Sequence, residues 1–302
     1  MPDLADLFPG FQSHWIDTEA GRIFARSGGS GPPLVLVHGF PQTHVAYHRI
    51  APKLAKHFSV VLMDMRGYGW SSAPKGDGGR ETYTKRAMGR DVVAVMEALG
   101  HVRFSFAGHD RGARVGYRLA LDEPGRLDKL VLLDILPTFH VWKLIEAGKS
   151  PAAHWEFLAR PAPEPETAIG KDPLPYFEDL LVRWSKTKDL KGFDSRALAH
   201  YRANWNEPTR IHAFCEDYRA GRTTDVAQDE ADLAAGRTIT VPTQLIWGEF
   251  YLVTTDKSPL DVWRETFAPK AVGTKVNAAH FVAEEAPDEV LAAMIPFLEG
   301  KA

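Results

Sequence analysis

The stretch from Phe104 to Arg114, Phe-Ser-Phe-Ala-Gly-His-Asp-Arg-Gly-Ala-Arg, constrains the fold of this chain more than any other. A short apolar run, Phe104 to Ala107, stops at Gly108, and a helix-compatible segment follows directly. Small residues flank Asp110 on both sides, which is the small-x-nucleophile-x-small layout of a sharp strand-to-helix turn. Glycine suits such a turn because it is tight and its neighbours come close to the backbone. The helix N-terminus beneath it offers free N–H groups and the positive end of a dipole, both suited to a carboxylate. Taken alone the stretch leaves two readings open. Asp110 is a nucleophile, or it only caps the helix that follows.

The rest of the chain supplies the context. Gly21 to Arg26 and Pro33 to His38 read as extended runs, the second apolar almost throughout, as a strand buried on both faces is. A helix is expected around Val45 to Lys56, then a buried strand over Ser59 to Met63 that ends in the loop Asp64 to Ser71. Tyr83 to Leu99 carries apolar residues at Met88, Val92, Val95, Met96 and Leu99, a helical spacing. After the Phe104 strand and a helix to about Leu121, Lys129 to Asp134 makes one more strand. Strands alternating with helices at this spacing indicate an α/β protein with a mainly parallel sheet. In such sheets the working residues gather beyond the C-terminal ends of the strands, where His38, Asp64, Asp110 and Asp134 all stand.

Between about 138 and 240 the character changes to Trp, Tyr, His, Arg and Pro in amphipathic pieces without a convincing buried strand. This segment reads as a helical cap (138–240) inserted into a core made of 1–137 and 241–302. Pro161, Pro163 and Pro165, at alternate positions, read as a loop. The sheet resumes at Val241 to Gly248 and near Thr274 to Val276, and Glu284 to Leu298 reads as the closing helix.

A chain of 302 residues buries a large core, and its 44% hydrophobic and 25% charged content is ordinary for a globular protein. A net charge of -3 gives no reason to expect nucleic acid or an anionic membrane as partner. The single cysteine, Cys215, excludes an internal disulfide, and no Cys/His cluster at ligand spacing surrounds it. Neither a metal nor a cofactor is therefore expected. Met1 to Asp6 is acidic and lacks an apolar h-region, and no run approaches the roughly 18 apolar residues of a membrane helix. A cytoplasmic setting is expected.

A carboxylate nucleophile needs a base to activate water and an acid to orient that base. Of twelve histidines only His280 lies beyond His212, after the last expected strand. Asp134 and Glu249 both follow strands as candidate orienting acids. Phe250 to Thr255 supplies no aspartate, so Asp134 is preferred and Glu249 held in reserve. Asp110 would attack an sp³ carbon bearing a leaving group, or a strained epoxide, to form an ester. His280-activated water would then attack the Asp110 carboxyl carbon, with the backbone N–H groups of Arg111 and Phe40 receiving the oxyanion. Arg111 and Arg114, at i and i+3, would converge as two guanidinium forks on a substrate carboxylate, bound bidentately, and keep Asp110 ionised. Arg118, a turn further on, reads as a solvated surface arginine.

Together His38-Gly39-Phe40-Pro41, Asp64-Met65-Arg66-Gly67 and Gly108-His109-Asp110-Arg111-Gly112 resemble the dehalogenase and epoxide-hydrolase branch of the α/β-hydrolases. The Asp134-Ile135-Leu136-Pro137 turn, His154-Trp155, Glu216-Asp217-Tyr218-Arg219 and His280-Phe281 resemble the fluoroacetate dehalogenases more closely, over almost the whole chain. That resemblance implies an α/β-hydrolase fold with a mostly parallel eight-stranded sheet, hydrolytic dehalogenation of short 2-haloacids with fluoroacetate preferred, and a homodimer. Haloalkane dehalogenases carry a tryptophan after the nucleophile; Arg111 stands there here, so halide donors are sought in His154, Trp155 and Tyr218. The runner-up is an epoxide hydrolase using the same Asp110, Asp134 and His280, with Tyr218 and either Tyr176 or Tyr201 polarising the epoxide. The arginine pair argues against a neutral epoxide, and a non-catalytic small-molecule receptor is a third reading. The sequence departs from the family at Ala279, at Gly248 to Thr255 and over His140 to Ala153.

Overall fold

The computed structural model describes residues 4–150, 152–252 and 257–301; part of the Gly248 to Thr255 loop therefore lies outside the described residues. In chain order the first elements are β1 (Gln12–Thr18), β2 (Gly21–Gly28), β3 (Pro33–Val37), α1 (Ala51–Leu54), β4 (Ser59–Met63) and α2 (Lys85–Ala98). Then come β5 (Phe104–His109), α3 (Arg111–Asp122) and β6 (Leu127–Leu133). A helical insertion follows: α4 (Thr138–Glu146), α5 (Ala153–Leu158), α6 (Glu164–Gly170), α7 (Pro173–Trp184), α8 (Ser195–Trp205), α9 (Pro208–Arg222) and α10 (Thr224–Ala234). The chain closes with β7 (Thr243–Gly248), α11 (Pro259–Glu265), β8 (Val272–Val276), α12 (Val282–Glu285) and α13 (Pro287–Glu299).

The eight strands form one sheet in the order β1-β2-β4-β3-β5-β6-β7-β8. Only β1 and β2 run antiparallel to their neighbours; the remainder is parallel. Strands β3, β4 and β5 are buried on both faces, which is why they read as continuous apolar runs rather than alternating ones. Register then does the positioning. Val37 stands opposite Met63 on one side and Gly108 on the other, and His109 opposite Leu133. The residues just beyond those ends, His38, Asp64, Asp110 and Asp134, are thereby brought to one edge of the sheet.

Three local expectations give way to proline chemistry. The helix expected over Val45 to Lys56 divides into a 3-10 turn at His44–Tyr47 and the short α1, because Pro52 fits only a helix's first turn. The closing helix divides the same way, with Pro287 opening α13. The alternating prolines are not all loop, since Pro163 is the residue before α6 and Pro165 lies in its first turn.

Candidate active site

Asp110 ends β5 and begins α3 with φ 45° and ψ −116°, a conformation that an aspartate holds only where its surroundings fix it. The glycines around it are required by close approach. A Cβ on Gly112 would lie 2.2 Å from the Val37 carbonyl oxygen, and one on Gly39 would lie 2.6 Å from the Asp110 Cβ. The turn lifts the carboxylate against the loop after β3, where the Phe40 N–H donates to Asp110 Oδ2 at 3.1 Å. The Arg111 N–H, the other expected oxyanion donor, makes no such bond in this geometry.

His280, in the loop after β8, meets Asp134 after β6: Nδ1 lies 2.7 Å from Asp134 Oδ2. The other carboxylate oxygen, Oδ1, accepts the Gly248 N–H at 2.9 Å. That leaves His280 Nε2 turned toward Asp110, 4.0 Å from its Oδ2. Two further bonds hold the histidine loop: His109 Nε2 donates to the His280 carbonyl at 2.8 Å, and the His280 N–H donates to the Trp184 carbonyl at 3.1 Å. Tyr251 lies against the imidazole, ring centroids 4.2 Å apart. Burial pushes the His280 pKa down to about 4, so the ring is neutral at neutral pH, with Nε2 free to accept a proton. For Asp110 burial opposes ionisation, but His280, Arg114, His109 and Arg111 together hold its carboxyl below the ordinary carboxylate value. Glu249, the reserve acid, is spent on a surface pair with Lys275 at 2.7 Å.

The two arginines differ from the expected pair of open forks. Arg114 Nη1 donates to the Leu136 carbonyl and the Thr138 hydroxyl, both at 3.0 Å, while its buried Nε has no partner among the described residues and lies 4.0 Å from Asp110 Oδ1. Arg111 is clamped by Asp217, with Nε at 3.1 Å and Nη2 at 2.5 Å from the two carboxylate oxygens, and only Nη1 is unpartnered. Arg114 therefore keeps its Nε and Nη2 edge free of hydrogen-bond partners among the described residues, while Arg111 keeps only Nη1. Asp217 also accepts from Lys85 Nζ and, at 2.9 Å, from the Tyr68 hydroxyl, all of them buried. Burial works against the Arg111 cation, and Asp217 more than reverses it. Arg118 is off the site as expected, yet it is buried rather than solvated, paired with Asp122 and Asp232.

His154, Trp155 and Tyr218 come together from α5 and α9. Their ring centroids lie 5.8 Å (His154–Tyr218), 5.7 Å (Trp155–Tyr218) and 6.5 Å (His154–Trp155) apart. None of their side-chain polar atoms has a hydrogen-bond partner among the described residues. Burial pushes His154 down to about 3 and Tyr218 well above its usual value, so both stay neutral and able to donate. The Arg111 guanidinium lies 4.3 Å from the Tyr218 ring centroid and Arg114 lies 4.6 Å from that of Trp155.

A cavity of about 430 Å³ opens over Asp110, His280, Arg114, His154 and Trp155, with Trp184 and Tyr251 on its walls. Phe40, Arg111 and Tyr218 stand behind that lining. Tyr201 and Tyr176, the tyrosines considered for an epoxide, do not reach it: Tyr201 donates to Glu284 at 3.2 Å, and Tyr176 packs among Phe157 and Phe177. Sequence reasoning missed Asp217, Lys85, Trp184 and Tyr251. Asp217 stood inside a quoted motif, and an acid beside a functional tyrosine was the available signal.

Known proteins agree with this architecture. The family model for the alpha/beta hydrolase fold matches residues 32–287. The chain is 39% identical to a fluoroacetate dehalogenase of a Burkholderia species, over 97% of this chain and 95% of that one. It is 30% identical to a soluble epoxide hydrolase of a Corynebacterium species, over 96% and 95%. A solved chain from Nostoc sp PCC 7120, assigned to the α/β hydrolases, superposes with a TM-score of 0.91 at 44% identity, covering 95% of this chain and 98% of that one. With this sheet order, this turn at Asp110 and these relatives, the chain belongs to the α/β-hydrolase family.

Proposed function

We propose that this hydrolase cleaves the carbon–halogen bond of short 2-haloacids, with fluoroacetate the favoured substrate, giving glycolate and fluoride. One observation carries the reading: an ionised Asp110 lies between an Asp134–His280 pair and the unpaired N–H of Arg114. A nucleophile alone would serve any alkyl halide; unpaired cationic N–H groups beside it suit an electrophile that carries a carboxylate.

In the first step Asp110 Oδ1 attacks the halogen-bearing carbon. The new C–O bond forms as the C–X bond breaks, and the bonding pair leaves with the halide. His154, Trp155 and Tyr218 donate to that ion. Fluoride is small and strongly hydrated, so several donors in a site shielded from water are what its departure calls for. In the second step His280 Nε2 takes a proton from water, whose oxygen adds to Asp110 Cγ. The oxyanion falls to the Phe40 N–H. Collapse breaks the Cγ–O bond to the substrate carbon, and the hydroxyacid leaves as its oxygen takes up the proton held by His280. The balance is haloacid plus water to hydroxyacid, halide and one proton. Arg114, through its Nε and Nη2 edge, and Arg111, through Nη1, direct N–H groups at the carboxylate, and Asp134 holds the imidazole in register.

In this reading 138–240 is a cap that supplies the halide donors to a core of 1–137 and 241–302. A homodimer is what the family resemblance implies. The epoxide-hydrolase alternative uses the same Asp110, Asp134 and His280 and draws support from the 30% identical relative; its second tyrosine is the difficulty. Ion release from fluoroacetate, chloroacetate and bromoacetate, with diol formation from styrene oxide measured alongside, separates the two. Turnover of styrene oxide with no halide released from any haloacid would overturn the dehalogenase reading.

A further inference from the structure

A second cavity, of about 910 Å³, lies away from Asp110 and shares no lining residue with the first. Core loops make one side and the α8–α9 region the other. One wall is aromatic. The Trp15 and Trp70 rings lie parallel within 9° at 6.4 Å, and His200 continues the surface 6.2 Å from Trp70. Both tryptophans are far more exposed than large apolar rings usually are, 51% for Trp15 and 42% for Trp70.

The same cavity is also lined by residues whose polar atoms have no partners. Asn204 is 94% buried (6% exposed), and neither its Nδ2 nor its Oδ1 has a hydrogen bond among the described residues. Thr43, 2% exposed, has an unpartnered Oγ1. Leaving such groups dry is costly, and a small turn of either side chain toward the cavity would let a bound molecule supply the missing partner. Arg210 adds a half-buried guanidinium that donates to the Ser71 carbonyl and pairs with no carboxylate among the described residues. The Asp64 carboxylate on the cavity floor is already committed, to the His44 N–H at 2.7 Å and the Trp70 N–H at 3.0 Å.

We propose that this cavity binds a planar aromatic molecule with an amide-type edge, an acceptor beside a donor, as in an aromatic carboxamide, a lactam or a nucleobase. The ring lies on the Trp15–Trp70–His200 wall, where stacking and apolar burial hold it. The edge pairs reciprocally with Asn204: its carbonyl accepts from Nδ2 and its N–H donates to Oδ1. A carboxylate satisfies only half of that, since it sets lone pairs against Oδ1. Arg210 and Thr43 remain for a further acceptor on the ring. A concave site so mixed in polarity has the character of a small-molecule pocket.

The test uses the whole protein and nicotinamide as probe, titrated calorimetrically. Nicotinate (same ring, no N–H) and cyclohexanecarboxamide (same edge, no aromatic ring) serve as controls. Nicotinamide is expected to bind saturably with a dissociation constant near or below ~1 mM, which is within reach of a ligand of this size. Both controls should bind at least several-fold more weakly. Asn204→Leu removes both unpartnered amide atoms without shrinking the side chain and should weaken binding roughly tenfold or more, the worth of two hydrogen bonds. Trp70→Ala, at an exposed ring, should weaken it several-fold. Haloacid turnover should stay unchanged in both variants, and thermal melting confirms that each folds. Should Asn204→Leu not fold, Trp70→Ala and the two controls decide. Absence of saturable binding to wild type, equal affinity for nicotinamide and cyclohexanecarboxamide, or unchanged affinity in the variants would overturn the proposal. So would sedimentation showing a second copy of the chain that Trp70→Ala releases, because the aromatic wall would then be an interface.

Discussion

The sheet edge and the helical insertion meet at one cavity but are built on opposite principles. On the sheet edge the polar groups are bonded to each other: His280 to Asp134, Asp134 to Gly248, Asp110 to Phe40. On the insertion side the polar tips of His154, Trp155 and Tyr218 bond to nothing among the described residues. A bonded set is preorganised and moves little as charge shifts through it; an unbonded set is unfinished until an ion arrives. Beside the site the halves are tied by the buried Asp217, which pairs with both Arg111 and Lys85 of the core.

Substitutions can break this contrast, the severest first. Asp110→Asn should lower halide release at least about a thousandfold with the circular dichroism spectrum unchanged; residual turnover near wild type would remove the nucleophile. His280→Asn should stop the reaction after the first step, so each site releases about one halide and intact mass gains the carboxymethyl group held as an ester on Asp110. Halide released once without an adduct would sink the base assignment.

Asp217→Asn strikes the joint between the halves. It should raise KM for chloroacetate about tenfold or more with a smaller change in kcat, because Arg111 loses the clamp that aims its Nη1. It should also lower the melting temperature, since Lys85 and Arg111 are left as buried charges short of a partner. A fall in stability with KM unchanged would make Asp217 purely structural. Tyr218→Phe deletes one donor to the ion and should slow fluoride release roughly tenfold while affecting bromide release less. Equal losses for the two ions would take the hydroxyl out of the halide site.

The remaining prediction concerns stability against pH. Burial holds His38, His109 and His280 near 4 and His154 near 3, against an ordinary value of 6.5. The unfolded chain therefore binds more protons than the folded one as pH drops below 6.5. Stability should be constant above that pH and fall steadily toward 4. Melting curves between pH 4.5 and 7.5 measure it, and a flat profile would mean the rings are already protonated in the fold.

Much of this was readable beforehand, for physical reasons. Strands buried on both faces are apolar without a break, so β3, β4 and β5 announce themselves, and a residue at the end of each inherits a place on the sheet edge. Strand β1 is half exposed at the sheet's margin, alternates in burial and was not singled out. That Asp110, Asp134 and His280 would meet was legible because a proposed nucleophile, acid and base were sought in a fixed chain order. The state of the arginines was not. Whether a guanidinium is open, like the Nε of Arg114, clamped, like Arg111, or locked away, like Arg118, depends on acids a hundred residues distant, Asp217 and Asp232, and local spacing carries no trace of them. The cavity beside Trp70 was equally hidden, since an orphaned Asn204 looks like any other asparagine until its neighbours are known.

Asp217 and Tyr218 are consecutive residues of α9: the first grips Arg111 and the second stands with the proposed halide donors. A shift of that single turn of helix would disturb the grip on the acid and the grip on the ion at once. A lineage exploring new substrates through this turn could not alter its preference for the leaving group while keeping its preference for the acid. The two traits would be inherited together, and a descendant that escaped one would have to give up the other.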